Sequence, residues 1–129
     1  MRAVDTNVLV RFLVADDPVQ FRRARKLMEA GAVFIPKTVL LETEWVLRHA
    51  YGFAATDILH AFGALSGTSE VEMEEADAVQ RALAWFAGGM DFADALHIAS
   101  RGNAAEFLTF DKRLASAARK AGIRGVALP

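Results

Sequence analysis

Short apolar segments alternate with helical segments along almost the whole chain, and this alternation limits its fold more than any other feature. Five segments have the length and character of short strands: Met1–Val4, Ala32–Ile35, Val71–Met73, Glu106–Thr109 and Gly125–Leu128. Strands that are joined through helices pair in parallel, with helices on both faces of the sheet. The sequence therefore predicts an α/β fold of three layers, in which a short parallel central sheet lies between two layers of helices (α/β/α).

Helix-start and helix-stop residues set the bounds of the predicted helices. Asp16-Asp17-Pro18 separates the first two helices, and Thr38 is expected to cap the third. The seven helices are expected at Thr6–Val14, Val19–Ala30, Thr38–Ala50, Thr56–Leu65, Glu75–Ala87, Asp91–Arg101 and Asp111–Ala121. No linker, repeat or low-complexity tract interrupts the pattern, so we expect one domain over residues 1–129.

The composition excludes several classes of protein. The chain is 53% hydrophobic and 24% charged, which argues against a disordered chain. It has no cysteine, which excludes disulfides, a thiol nucleophile and a zinc–thiolate site. Neither a signal peptide nor a membrane span is expected, because Asp5 interrupts the start of the chain and no apolar run reaches about 18 residues. A cytoplasmic location without membrane association fits these features.

The charge is unevenly distributed although the net charge is only −1. Residues 1–53 carry eight basic residues (Lys or Arg) and six acidic residues (Asp or Glu). Residues 91–129 carry six basic and four acidic residues. Residues 54–90 carry one basic and six acidic residues. A protein that binds nucleic acid by bulk charge would be strongly basic, so any RNA should bind locally, near the two ends of the chain.

Four carboxylates are the candidate functional residues. In parallel sheets the ligand site lies at the carboxyl ends of the strands. Asp5 directly follows the first predicted strand, and Asp111 follows the strand that ends at Thr109. Glu42 lies in the second turn of the helix after the second strand, and Asp94 lies in the first turn of its own helix. Asp5 and Asp111 are also favoured helix N-caps, a role that does not exclude metal binding.

Glu42 is the most informative of the four acids. Its neighbours at helical spacing are Thr38, Val39, Trp45 and Val46, and none of them is cationic. Glu44, in contrast, has Arg48 four residues later and is expected to form a surface ion pair. Glu42 is therefore expected to face the apolar side of its helix without a partner in that helix. A bound cation would remove the cost of such a carboxylate, and a distant Lys or Arg is the alternative.

Asp91 and Asp94 share one helix face, and both have an ordinary interpretation. Asp91 fits an N-cap, and Asp94 lies near the positive end of the helix dipole. Alternatively, Asp94 is a metal ligand and Asp91 supports it. His97 is expected to be an ordinary packed or surface residue, as are His49 and His60.

Four acids without cysteine suggest a hard cation bound by oxygen, and Mg²⁺ or Mn²⁺ fits better than zinc. Such clusters serve phosphoryl chemistry, in which basic side chains position the phosphate backbone. The candidate RNA-binding residues are Arg11, Lys37, Arg48, Lys112 and Arg113. The run Arg22-Arg23-Ala24-Arg25-Lys26 is the densest basic cluster, but it is also typical of the solvated face of a helix.

Four segments in sequence order resemble the motifs of PIN domains, especially those of VapC-type toxins. The opening motif is Asp5-Thr6-Asn7-Val8-Leu9-Val10-Arg11, and the second is Val39-Leu40-Leu41-Glu42-Thr43-Glu44-Trp45-Val46-Leu47. The third is Asp91-Phe92-Ala93-Asp94-Ala95-Leu96-His97-Ile98-Ala99, and the fourth is Leu108-Thr109-Phe110-Asp111-Lys112. Asp16-Asp17-Pro18-Val19-Gln20 also resembles the segment that opens the second helix of these toxins.

The resemblance covers essentially the whole chain and implies a ribonuclease that cuts single-stranded or looped RNA with Mg²⁺ or Mn²⁺. It implies that Asp5, Glu42, Asp94 and Asp111 form the catalytic metal site, supported by Thr6, Asn7, Asp91 and Thr109. It also implies a homodimer, a PIN-like fold and a cognate antitoxin whose tail blocks the site. Every acid of the motif set is present, which argues against an inactive copy.

Three other classes of protein compete with this interpretation. A haloacid-dehalogenase-like phosphatase would need an acid where Asn7 stands. A receiver domain would need its phosphorylated Asp on a middle strand. A non-catalytic binding module would use the acids only as caps and ion-pair partners, and an unpaired Glu42 argues against it.

Overall fold

The computed structural model describes all 129 residues, which form seven helices and five short strands. In chain order these are β1 (Arg2–Ala3), α1 (Thr6–Val14), α2 (Pro18–Glu29), β2 (Val33–Ile35), α3 (Lys37–Ala50), α4 (Ala55–Ser66), β3 (Val71–Met73), α5 (Ala76–Ala87), α6 (Phe92–Ala99), β4 (Phe107–Leu108), α7 (Lys112–Lys120) and β5 (Val126–Ala127). The order of elements predicted from the sequence is confirmed, with bounds that differ by at most two residues. No helix is long and apolar enough to cross a membrane.

The chain divides into two compact units, Met1–Ala76 and Asp77–Pro129. The first unit contains a parallel sheet in the order β1-β2-β3, with Ala3 opposite Phe34 and Phe34 opposite Glu72. The second contains a parallel pair of strands, β4 and β5. The predicted α/β class with parallel strands is confirmed, and the strands belong to two sheets rather than one. The expectation of a single domain stays a prediction.

The core of the first unit lies between its sheet and the helices. Helix α1 packs against α2 and α3, and α3 packs against α4. Leu9, Leu40, Leu47 and Phe62 are fully buried in this core. Burial of each such side chain contributes about 1.5–3 kcal/mol. This packing fixes the start of α1 and the second turn of α3, where Asp5 and Glu42 lie.

The N-terminal residues of some helices are capped by a neighbour in sequence, and that of α3 is bonded by a residue far away in the chain. Asp5 and Asp17 cap α1 and α2 as their residue type favours. The expected cap of α3 by Thr38 is wrong, because the helix begins at Lys37, directly after Pro36. Glu74 takes over this role, since its Oε1 accepts a hydrogen bond from the Lys37 backbone N–H at 2.9 Å.

The second unit packs its own small core. Val79, Phe92, Ala95 and Ala118 are fully buried, and the Phe86 and Phe92 rings meet edge to face at 5.6 Å between centroids. Asp91 caps α6 and Asp111 caps α7, as expected from their sequence positions. These two caps place acidic side chains at the starts of both helices.

Candidate functional site

Asp5 and Glu42 are linked in the first unit through Thr6. Asp5 is exposed at the end of the β1 segment and caps α1 by accepting a hydrogen bond from the Val8 N–H at 3.1 Å. Thr6, the next residue, is 8% exposed and donates a hydrogen bond from its hydroxyl to Glu42 Oε1. The parallel pairing of β1 with β2 brings the starts of α1 and α3 to the same edge of the sheet. Thr6 therefore holds the Glu42 carboxylate beside the residue that follows Asp5.

The environments expected for the two acids of α3 are reversed in the structure. Glu44 is the buried one, with 1% exposure, and its carboxylate accepts a hydrogen bond from Arg48 Nε at 2.7 Å. Glu42 is exposed. The expectation that Glu42 faces the apolar side was wrong, because the buried stripe of α3 is Leu40, Thr43, Glu44 and Leu47. The case for Glu42 therefore rests on its bond to Thr6 and on its motif, and no longer on burial without a partner.

An open groove of about 430 Å³ lies beside Asp5 in the first unit. Its polar rim is formed by Asp5, Asn7, Arg11, Gln20 and Arg23, and its apolar floor by Val8, Ala24 and Leu27. Asn7 is exposed on this rim, next to the candidate ligand. The groove can therefore take a group that has both apolar and polar surface.

Asp91, Asp94 and Asp111 form the acidic group of the second unit. Asp91 accepts a hydrogen bond from the Asp94 backbone N–H at 3.2 Å. Asp111 accepts from the Arg113 and Leu114 N–H groups at 2.9 and 3.1 Å, and its own N–H donates to Thr109 Oγ1 at 3.0 Å. Asp91 and Thr109 thus each bond to the backbone of a candidate ligand, and their role in supporting a metal site stays a prediction.

The carboxylates of this acidic group repel one another. Partial burial raises the pKa of the Asp94 carboxyl, and the negative charges of Asp91 and Asp111 raise it further. His97 acts in the opposite direction on the same pKa. A cation among these carboxylates would relieve the repulsion.

Asp94→Asn is expected to raise the melting temperature at neutral pH in metal-free buffer. A carboxyl with a raised pKa in the folded state binds its proton more tightly there than in the unfolded chain. Its stabilising contribution is complete below the ordinary aspartate pKa of about 3.9 and is lost as the pH rises through the folded-state pKa. The difference in melting temperature, variant minus native, should therefore grow from acid to neutral pH in calorimetry.

Glu106→Gln is the matched control for this experiment, because Glu106 is an exposed acid of the same unit without an ion pair. It should show no such trend. If the difference in melting temperature between Asp94→Asn and the native protein stays constant with pH, Asp94 is not repelled by the neighbouring carboxylates.

The five basic residues expected to bind RNA fall into two groups. Arg11 pairs with Asp16 at 2.8 Å, Lys37 with Glu75 at 3.1 Å, and Arg48 with buried Glu44. Tyr51 joins the Arg11 pair by accepting from Arg11 and donating to Asp16. Lys112 and Arg113 are exposed at the start of α7 and form no ion pair. These two cations, beside Asp111, are thus the ones free to contact a phosphate.

The donor chemistry of the four acids fits a hard divalent cation. As the side chains stand, no group of three or more His, Asp or Glu residues could hold a metal ion by itself. Mg²⁺ is usually held in proteins by one or two carboxylates, with several waters and substrate phosphates completing its shell. Asp5 and Glu42 in the first unit, and Asp94 and Asp111 in the second, are donors of this kind, so the residues fit the ion by the chemistry of their oxygens.

Sequence reasoning missed Gln20 and Arg23 as neighbours of the Asp5 groove. The signal was present, because Gln20, Arg23, Ala24 and Leu27 follow the spacing i, i+3, i+4 and i+7 of one helix face. The run Arg22–Lys26 was interpreted as a solvated helix face, because exposed basic residues usually are, and its neighbourhood to Asp5 was therefore not predicted.

Residues 2–120 match the PIN domain family, so the chain belongs to that family. This confirms the family expected from the four motifs and supports a nuclease. Among solved structures, the chain is similar to the toxin VapC20 of Mycobacterium tuberculosis, described as cleaving the sarcin–ricin loop. The identity is 22%, the match covers 98% of this chain and 87% of that chain, and the TM-score is 0.46. A comparison with curated proteins finds no match.

Proposed function

We propose that the protein is an endoribonuclease that hydrolyses phosphodiester bonds of single-stranded or looped RNA with Mg²⁺ or Mn²⁺. We further propose that it is the toxin of a VapBC-like toxin–antitoxin pair. The observation that carries the enzymatic proposal is that the PIN family match spans the acids of all four motifs. Asp5 and Asp111 cap α1 and α7, Asp94 lies in the first turn of α6, and Glu42 lies in α3, where it accepts a hydrogen bond from Thr6. The toxin assignment is supported by the likeness of these motifs to those of VapC-type toxins.

Asp5, Glu42, Asp94 and Asp111 are the proposed metal-binding residues. When bound, the ion would polarise a phosphate oxygen and lower the pKa of a bound water. The protein's own contribution is positional. Thr6 orients Glu42 through its hydroxyl, and Asp91 and Thr109 hold the backbone of Asp94 and Asp111. Lys112 and Arg113, which are exposed and form no ion pair, would bind the RNA backbone.

A cognate antitoxin, a homodimer and a cytoplasmic location belong to the same proposal, and each is supported by the toxin resemblance. The carboxylates of exposed Asp5 and half-buried Asp94 are complementary in charge to a basic side chain of an inhibitor. An antitoxin that brings an arginine to Asp5 or Asp94 would compete with the metal for the same carboxylates.

Cleavage of a panel of fluorescent single-stranded RNAs by the purified protein tests the function. Cutting should require Mg²⁺ or Mn²⁺ and stop with excess EDTA. If no RNA is cut and metal causes no rise in melting temperature, a non-catalytic binding module becomes the better interpretation. Metal stabilisation without cutting would support the ion site and call for a wider panel of RNAs.

A further inference from the structure

The exposed face of α2 carries a set of basic residues that the proposed site does not use. We name Arg22, Arg23 and Lys26 of α2, together with Arg2 of β1, the α2 basic track. None of the four forms an ion pair, and Arg2 is held against the helix by donating from its Nη2 to the Leu27 carbonyl at 3.3 Å. Arg25, in the same run, is neutralised by Glu29 at 2.8 Å. The track therefore keeps its positive charge uncompensated by the protein.

The track is continuous with the groove beside Asp5. Arg23 and Leu27 line that groove and also line a second depression with Arg2, Lys26 and Ala30. Lys26 and Ala30 in turn line a third depression, together with Arg22, Arg25 and Glu29. The three depressions, of about 430, 350 and 440 Å³, thus follow one another along α2.

An ordinary solvated helix face does not account for this arrangement. Basic residues on such faces are commonly balanced by acids three or four residues away. Over Arg22–Glu29 there are four cations and a single carboxylate, and that carboxylate is engaged by Arg25. The uncompensated charges border the shallow, open depressions along α2.

The chemistry of the surface selects a polyanion over a protein segment. The third depression has no apolar side chain larger than that of Ala30, so it offers little to the apolar face of a peptide. The Asp5 groove, in contrast, has the apolar floor of Val8, Ala24 and Leu27, on which a base can rest. A single strand of nucleic acid matches both features, because its phosphates form a row of negative charges and its bases can rest on apolar side chains.

We propose that a single RNA strand lies along the α2 basic track, with one base in the groove beside Asp5 and phosphates against Arg23, Lys26 and Arg2. This proposal rests on the proposed function, in which RNA is the substrate. It places the RNA leading away from the candidate metal ligand Asp5 over α2. The charged face of α2 is then a substrate-binding surface, in addition to Lys112 and Arg113 in the second unit.

Binding of a fluorescent single-stranded RNA, followed by anisotropy over a range of salt concentrations with EDTA present, tests the track. The variant is the double substitution Arg23→Gln with Lys26→Gln. Each phosphate contact contributes about 0.7 to the slope of log affinity against log salt. The double variant should therefore lower the slope by about 1.4 and weaken binding about 25-fold at 0.1 M salt.

The matched control is Arg119→Gln with Lys120→Gln, which removes one Arg and one Lys from an exposed, unpaired position at the end of α7. It should bind RNA with nearly the native slope. Thermal melting of both variants checks that the fold is kept.

The outcomes separate this proposal from the proposed function. If the double variant keeps the native affinity and slope, the track is overturned even when the native protein cuts RNA, and a protein partner becomes the better occupant. Failure of the native protein to bind RNA overturns it as well. If native binding depends on the track but no metal-dependent cutting occurs, the track is supported and the nuclease function fails.

Discussion

Asp5→Asn and Asp94→Asn are each expected to lower RNA cleavage by more than about 100-fold while the fold is kept. Mutation of groups that only support metal ligands typically costs 10–100-fold, so loss of a ligand should cost more. Asparagine keeps the shape of the side chain but removes the negative charge that attracts a divalent cation. Cleavage rates at saturating Mg²⁺ and at saturating Mn²⁺ measure the effect.

The chain offers matched controls for both variants. Asp17 caps α2 as Asp5 caps α1, so Asp17→Asn makes the same change at a cap outside the proposed site. Asp77 lies in the first turn of α5 as Asp94 lies in the first turn of α6, so Asp77→Asn serves the second unit. Both controls should cut RNA at nearly the native rate. Asparagine is as good an N-cap as aspartate at position 17, and Asp77 is an exposed residue outside the proposed site. If Asp5→Asn and Asp94→Asn retain metal-dependent cleavage, neither residue belongs to the site.

Gly125→Ala is expected to destabilise the protein by more than about 2 kcal/mol, the largest stability effect of the substitutions considered. Gly125 has a φ of +79°, a left-handed conformation that costs a residue with a Cβ about 1–2 kcal/mol. A Cβ there would also collide with the Ala105 carbonyl oxygen. The backbone cannot easily move away, because the Gly125 carbonyl accepts a hydrogen bond from the Phe107 N–H at 2.8 Å beside the β4–β5 pair.

Gly122→Ala isolates the steric part of this effect. Gly122 has the same φ of +79°, but a Cβ built on it meets nothing within 4 Å. Urea unfolding of the two variants should show a smaller loss of free energy for Gly122→Ala, by the cost of the contact with Ala105. Equal losses in both variants would mean that the backbone around Ala105 adapts without cost.

Local sequence signals predicted the elements and most helix starts. Aspartates at residues 5, 17, 91 and 111 cap their helices in the structure, because the side-chain oxygen of a cap bonds to N–H groups only two or three residues away. Strand order along the chain was likewise readable from short apolar segments between helices. These features depend on neighbours in sequence, so the sequence contains what is needed to predict them.

Helix α3 shows where such reasoning stops. It carries apolar residues on more than one face, and Trp45 is 56% exposed while Leu40 and Leu47 are fully buried. Periodicity alone could not tell which stripe faces the core, and the choice of the wrong stripe exchanged the environments of Glu42 and Glu44. The cap of α3 by Glu74 was equally out of reach, because its partner Lys37 lies 37 residues away in the chain.

The sequence by itself determined the alternating α/β order, the PIN-type motifs and which acids stand at helix starts, since these are set by residue type and short-range spacing. Tertiary structure decided the rest. Packing of α3 selected its buried face, the pairing of β1 with β2 brought Thr6 to Glu42, and the packing of α1 on α2 placed Arg23 beside Asp5. Each of these depends on a contact between residues far apart in the chain, and the geometry of such contacts is fixed only when the surrounding side chains pack together.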